Sequence, residues 1–218
     1  MFYKEILLLG IPLVFVAFIV STQVKGKDFG NPGPGNVPIS VEKQREYTQF
    51  IQREANELIK HTGLSKKVQV SFTYAPTSKD KGGSYIMSFG AAVDCDYNSS
   101  IIPLEFDDLF AVFMFDKGKS NAMPMIGHEL GHCVNQKAGV EKGNGHNREL
   151  LADQTGLDIW RKAGKNTNVY LNFWNAYDMP KTSSHPSTQL RYEMLKHYVK
   201  TGDRKVNYTF KQLKEMNK

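Results

Sequence analysis

The sequence predicts an α+β fold for residues 41–218, and three observations carry that prediction. An apolar pattern of helical period comes first, a two-residue alternation follows it, and the rest of the chain is a series of helical patterns closed by Gly or halted before Pro. Tyr47, Phe50, Ile51, Ala55, Leu58 and Ile59 recur at three- and four-residue spacing across 41–61, with Gly63 as the stop. Val68, Val70, Phe72 and Tyr74 alternate as in a half-buried strand ended by Pro76. Residues 77–84 read as a polar Lys/Gly/Ser loop, and 85–93 as a further strand. The stretch 94–121 is ambiguous, because its apolar run 109–115 is too short to separate a strand from a buried helix. Helices are then expected over 123–138, closed by Gly139, and over 147–163, closed by Gly164. Two more are expected over 167–178, before Pro180, and over 186–200, closed by Gly202. Tyr170, Phe173, Trp174 and Tyr177 have helical spacing and read as core rather than as a substrate platform.

The 218 residues are 40% hydrophobic and 23% charged, which suits one globular domain and excludes disorder as the general state. Residues 1–24 read as a signal peptide or an N-terminal membrane anchor. Their apolar run, 6–20, is uncharged and flanked by Lys4, Lys25 and Lys27, but it is shorter than the roughly 20 residues of a spanning helix. Residues 25–40, rich in Gly and Pro, read as a linker. The domain is therefore expected outside the cytoplasm, in a periplasm or cell envelope, with membrane contact through the N-terminal segment if that segment is kept. The formal charge is +6, but the basic residues are scattered among 22 acids and no nucleic-acid-reading motif accompanies them, so no nucleic-acid partner is expected. Two cysteines exclude a disulfide scaffold, and no CxxC pair is present for a ribbon-type zinc site. In an exported domain Cys95 and Cys133 are candidates for a disulfide; two free thiols are the alternative.

Chemistry becomes specific at His128-Glu129-Leu130-Gly131-His132. On a helix, two His one turn apart reach one tetrahedral ion, and the intervening Glu is rotated by about 100° from the first, beside the open position of the metal. That is where the general base for a zinc-activated water stands. A third His at the longer-motif spacing would fall at Ala138, so that arrangement is excluded. Glu149 and Asp153, one turn apart on the next helix, offer a third ligand and a carboxylate for the free ring N–H of a ligand His. His146 is a competing ligand, placed near the N-terminus of that helix.

The ordered set His-Glu-Leu-Gly-His, Glu-x-x-Ala-Asp and Ser183-Ser184-His185-Pro186-Ser187-Thr188-Gln189-Leu190-Arg191 resembles metallopeptidase family forty-eight. These are the gluzincins of HtpX-like, Oma-like and CAAX prenyl endopeptidase type, and the resemblance runs over about 41–200. It implies a compact zincin-like domain with one Zn2+ per chain held by His128, His132 and Glu149. It implies Glu129 as base, Asp153 behind the ligands, His185 as a stabiliser of the transition state and Arg191 as its structural companion. The expected activity is endopeptidase cleavage of an extended or unfolded polypeptide, and the resemblance alone implies a setting in protein quality control. The substrate would lie along a sheet edge for which 85–93 is the candidate, an inner strand being the alternative. The Asn-Ala-Phe pattern common on the family's substrate-side strand is absent; Met87-Ser88-Phe89-Gly90-Ala91-Ala92-Val93 stands instead. Two other readings are a zinc-stabilised, catalytically silent binding or chaperone-like module, and a factor that processes its own linker. Retention of Glu129 beside all three ligands argues against the silent module.

Overall fold

In the computed structural model, residues 19–20, 41–73, 78–79, 85–88, 91–96, 98–107, 123–141, 145–176, 181–183 and 185–218 are described. Helix α1, Val41–Ile59, forms where the apolar spacing predicts it, and Tyr47, Ile51, Ala55, Leu58 and Ile59 are the side chains it buries. Strand β2, Lys67–Thr73, follows, with Val68 and Val70 buried and Lys67 and Gln69 exposed, as the alternation requires. β2 is the outer strand of its sheet, and α1 covers its edge with one side chain. Gln52 donates to the Val68 carbonyl at 2.6 Å and accepts from the Val70 N–H at 2.9 Å, standing in for a neighbouring strand.

The strand region departs from the sequence expectation in three places. Ser78–Lys79, expected within a loop, is a short strand β3 paired antiparallel with β4, Tyr85–Ser88. The stretch 85–93, expected as one strand, is two strands in two sheets. β4 lies between β3 and β1, Ile19–Val20, whereas β5, Ala91–Val93, joins β2 through β6, Ile101–Asp107. β6 occupies the ambiguous stretch and is the central strand, parallel to β2 from Lys67↔Ile101 to Thr73↔Asp107 and antiparallel to β5. Pro103 had masked it. A strand residue turns its N and its carbonyl to the same side, and the Pro103 carbonyl takes the Asp94 N–H at 3.1 Å, just past the last β5 pair. The missing N–H thus faces away from β2 and costs that ladder nothing.

Among the described residues five more helices follow: α2, Met123–Lys137; α3, Gly145–Lys162; α4, Thr167–Asn175; α5, Thr188–Thr201; and α6, Phe210–Met216. α5 starts after Pro186 because the Ser187 side chain caps it, accepting from the Leu190 N–H. α6 was not expected. It is two turns long, opened by a capping box between Thr209 and Gln212, and it buries Leu213 with Leu150 and Met194. The main core joins α1 to Val68, Val70, Ile102, Leu104 and Phe106 of the sheet and to Met125, Ile126, Leu130, Trp160 and Trp174 of the helices. The architecture is α+β, with α1 before the β2-β6-β5 sheet and the other described helices after it.

α2 and α3 cross at glycine. A Cβ at Gly131 would fall under 3.0 Å from the Ala152 carbonyl, and one at Gly156 equally close to the Gly127 carbonyl and the Tyr170 hydroxyl. Only Gly allows this approach, and it is what brings the ligand-bearing faces of the two helices together. On another face of α2, Cys133 forms a disulfide with Cys95, the second residue after β5, so the sheet is fastened to the same helix. Of the apolar run 6–20 only Ile19 and Val20 are described, so the signal or anchor expectation, the linker, Tyr74, Tyr177 and the run 109–115 lie outside the described residues. Among the described residues no helix is long and apolar enough to cross a membrane.

Candidate metal centre

His128 and His132 stand one turn apart on α2, both buried, with their Nε2 atoms 3.2 Å from each other. Glu149, from the first turns of α3, meets them: Oε2 lies 3.2 Å from His128 Nε2 and Oε1 3.5 Å from His132 Nε2. Among the described residues these three form a group whose donor atoms lie within 4.8 Å of one another, and all three are buried. The group is able to hold a metal ion.

The far sides of the two rings decide which atoms face inwards. His128 Nδ1 donates to Asp153 Oδ1 at 2.9 Å, and His132 Nδ1 donates to Glu141 Oε1. A neutral imidazole that gives its proton at Nδ1 presents a lone pair at Nε2. With both rings in that neutral form two lone pairs and a carboxylate converge, and Glu149 Oε2 is buried without a hydrogen-bond partner. A cation satisfies all three at once, which is the test of fit that this pocket passes.

Asp153 is itself fixed by Arg191, whose Nε and a terminal nitrogen reach its two oxygens at 2.8 and 2.7 Å. The guanidinium stacks 3.4 Å from the centre of the Trp174 ring, and that ring also meets His128 edge-on at 5.7 Å. Tyr170, Phe173 and Trp174 are buried as the core reading expects, but Trp174 additionally walls the site. Arg191, expected behind the ligands with Asp153 and as a structural companion of His185, binds Asp153 and so locks the carboxylate behind His128. His185 lies just before α5 with Nε2 3.5 Å from Glu149 Oε2. His146 does not join the cluster. It sits at the second position of α3 and its Nε2 donates to the Thr182 carbonyl at 2.8 Å.

Electrostatics follow from burial and charge. Burial is the main cause that raises the Glu129 carboxyl to about 6, reinforced by the Glu149 charge and opposed by the two His and Arg191; its Oε1 is buried with no hydrogen-bond partner. Burial lowers His185 to about 4, so its ring is neutral at pH 7. Burial disfavours charge on His132, but hydrogen bonds to Glu141 and Glu149 outweigh it and raise the ring to about 10. Burial likewise opposes ionisation of Asp153, yet Arg191 and His128 hold it below the usual range. The metal-free pocket thus draws protons where a cation would sit.

Sequence reasoning missed Glu141. It has no fixed helical spacing to the motif, because its place depends on the turn after α2. The signal available was chemical: His132 needed an acceptor at Nδ1, and Glu141 is the first acid after the α2 stop at Gly139. Compared with family models, with curated proteins and with solved structures, the chain matches none of them. Its function therefore rests on the geometry of the pocket.

Proposed function

We propose that this chain is a zinc-dependent endopeptidase with a zincin-like domain, of the gluzincin type that its three motifs resemble. The observation that carries the reading is the buried Glu129 carboxylate, its Oε1 without a hydrogen-bond partner, beside a preformed His128–His132–Glu149 group. Two imidazoles and a carboxylate are a donor set that suits Zn2+. Bound there, zinc would supply Lewis-acid polarisation and a water acidified to near neutrality.

The other roles belong to the chain. Glu129, raised to about 6, is ionised at pH 7 and still basic enough to accept a proton from the attacking water and to return it to the leaving amine. His185 is a neutral ring beside the group, able to donate a hydrogen bond to the developing oxyanion without adding a charge that repels the cation. Arg191 keeps Asp153 ionised, and Asp153 keeps the proton of His128 on Nδ1. β5 ends its sheet and packs against α2, which supports a substrate laid along it in extended form. The apolar run 6–20 and the Cys95–Cys133 disulfide support an extracytoplasmic location.

The test compares the wild-type full chain with Glu129→Gln for metal content and for hydrolysis of unfolded casein. The expected outcome is one zinc per chain in both, with hydrolysis by the wild type alone. Equal hydrolysis by both would remove Glu129 from the chemistry, and no zinc in either would sink the site.

A further inference from the structure

We infer that Glu141 is a positioning residue of the metal centre, carried to His132 by the turn that ends α2 and setting which nitrogen of His132 faces the metal. The inference rests on the metal-binding part of the proposed function and not on the peptidase part.

The causal chain starts at a glycine. Gly139 has φ +68°, in the left-handed region, and the turn around it closes two hydrogen bonds: the Gly139 N–H to the Gln136 carbonyl at 2.9 Å and the Val140 N–H to the Asn135 carbonyl at 3.0 Å. That 5→2 and 6→1 pair is a Schellman turn, which reverses the chain direction within three residues. Val140 remains 51% exposed, while Glu141, the next residue, is turned back beneath α2. Its side chain is only 7% exposed, and Oε1 accepts the proton of His132 Nδ1. Arg148, on the first turn of α3, approaches the same oxygen at 3.6 Å, an ion pair without a hydrogen bond.

Each imidazole of the centre is therefore backed by a carboxylate, and the two carboxylates differ. Asp153 is bound by two nitrogens of a buried Arg191, so its charge is largely absorbed. Glu141 has one oxygen on His132 and only a half-exposed Arg148 nearby. Of the two, Glu141 leaves more negative charge on its imidazole and makes His132 the stronger donor. Losing a carboxylate that backs a ligand His costs about 10- to 100-fold in metal affinity.

The experiment uses the full-length chain in its oxidised form, with zinc affinity measured by competition with a chromophoric chelator. Wild type, Glu141→Gln and Glu141→Ala are compared. The ring nitrogens of His132 are read by long-range 15N–1H correlation in the zinc-loaded proteins. Glu141→Ala is expected to weaken zinc by about 10- to 100-fold and to lose the sharp Nδ1–H signature. Glu141→Gln, whose amide oxygen still accepts but carries no charge, is expected to keep the signature and to bind zinc more tightly than Glu141→Ala while staying below wild type. A merely structural role for Glu141 would move melting temperature but neither the signature nor the Gln-over-Ala rescue. Tight zinc in wild type with Glu141→Ala within twofold of it would overturn this inference alone. Failure of the wild-type chain to bind zinc would overturn it together with the metal reading. Casein hydrolysis, scored separately, bears only on the peptidase reading.

Discussion

His185 is held by backbone, and that makes its contribution separable from metal binding. Its N–H donates to Thr182 Oγ1 and its carbonyl accepts the Thr182 N–H, each at 2.9 Å, while His146 of α3 grips the Thr182 carbonyl. His185→Ala is expected to lower kcat by about 10²- to 10³-fold, the scale of losing one oxyanion donor, with zinc content unchanged. Loss of zinc in that variant would instead make His185 a ligand. His132 yields a second expectation, in pH. Its metal-free ring is raised from 6.5 to about 10, so the stabilisation it provides is complete below pH 6.5 and is lost as pH rises through about 10. The melting temperature of the metal-free chain should therefore fall across that window. The zinc-loaded chain has no proton there to lose, so the gap between the two should widen with pH. A metal-free melting temperature that is flat or rising from pH 6.5 to 10 would contradict the assignment. Residues on a fixed helical spacing were legible in the sequence: His128, Glu129, His132, Glu149 and Asp153 all lie where the spacing places them. Glu141 was not, since its place is set by a turn rather than by a period.

At the scale of elements, the centre exists because α2 and α3 touch backbone to backbone. Gly131→Ala would drive a methyl group into the Ala152 carbonyl, which cannot retreat without moving α3. The expected cost is about 1–3 kcal/mol of stability, as for other overpacked sites. Zinc affinity should fall with it, because Glu149 and Asp153 ride on the displaced helix. Chemical denaturation and zinc competition measure the two effects; a variant as stable as wild type and with unchanged affinity would show that the crossing is not limiting. Gly131 lies inside the metal motif, where the sequence offered no reason to read it as a packing residue. Elements were legible wherever one apolar period ran long enough, as in α1, β2, α2 and α3. β6 was hidden by Pro103 and α6 by its shortness. The division of 85–93 between β4 and β5 is a matter of sheet membership, which depends on pairing with distant segments and leaves no local pattern.

Over the whole molecule, α2 is fastened twice, and the two fastenings face different ways. His132 turns towards α3 and the metal group; Cys133, about 100° further round the helix, turns towards the chain that leaves β5. The disulfide closes a loop of 38 residues between sheet and helix, so its reduction should cost about 2–4 kcal/mol. None of the atoms around the candidate centre belongs to that loop's Cys95 end: His128, His132 and Glu141 come from α2 and its cap, Glu149 and Asp153 from α3, and Arg191 from α5. Stability and metal affinity should therefore separate. Cys95→Ser with Cys133→Ser is expected to lower the melting temperature clearly while changing zinc affinity by less than about threefold, because Cys133 leaves α2 on a different face from His132. Chelation should lower the melting temperature too, since a ligand that binds only the folded chain stabilises it by mass action. A tenfold loss of zinc on removing the disulfide would mean that the sheet, and not the helix crossing alone, holds His132 in register with Glu149.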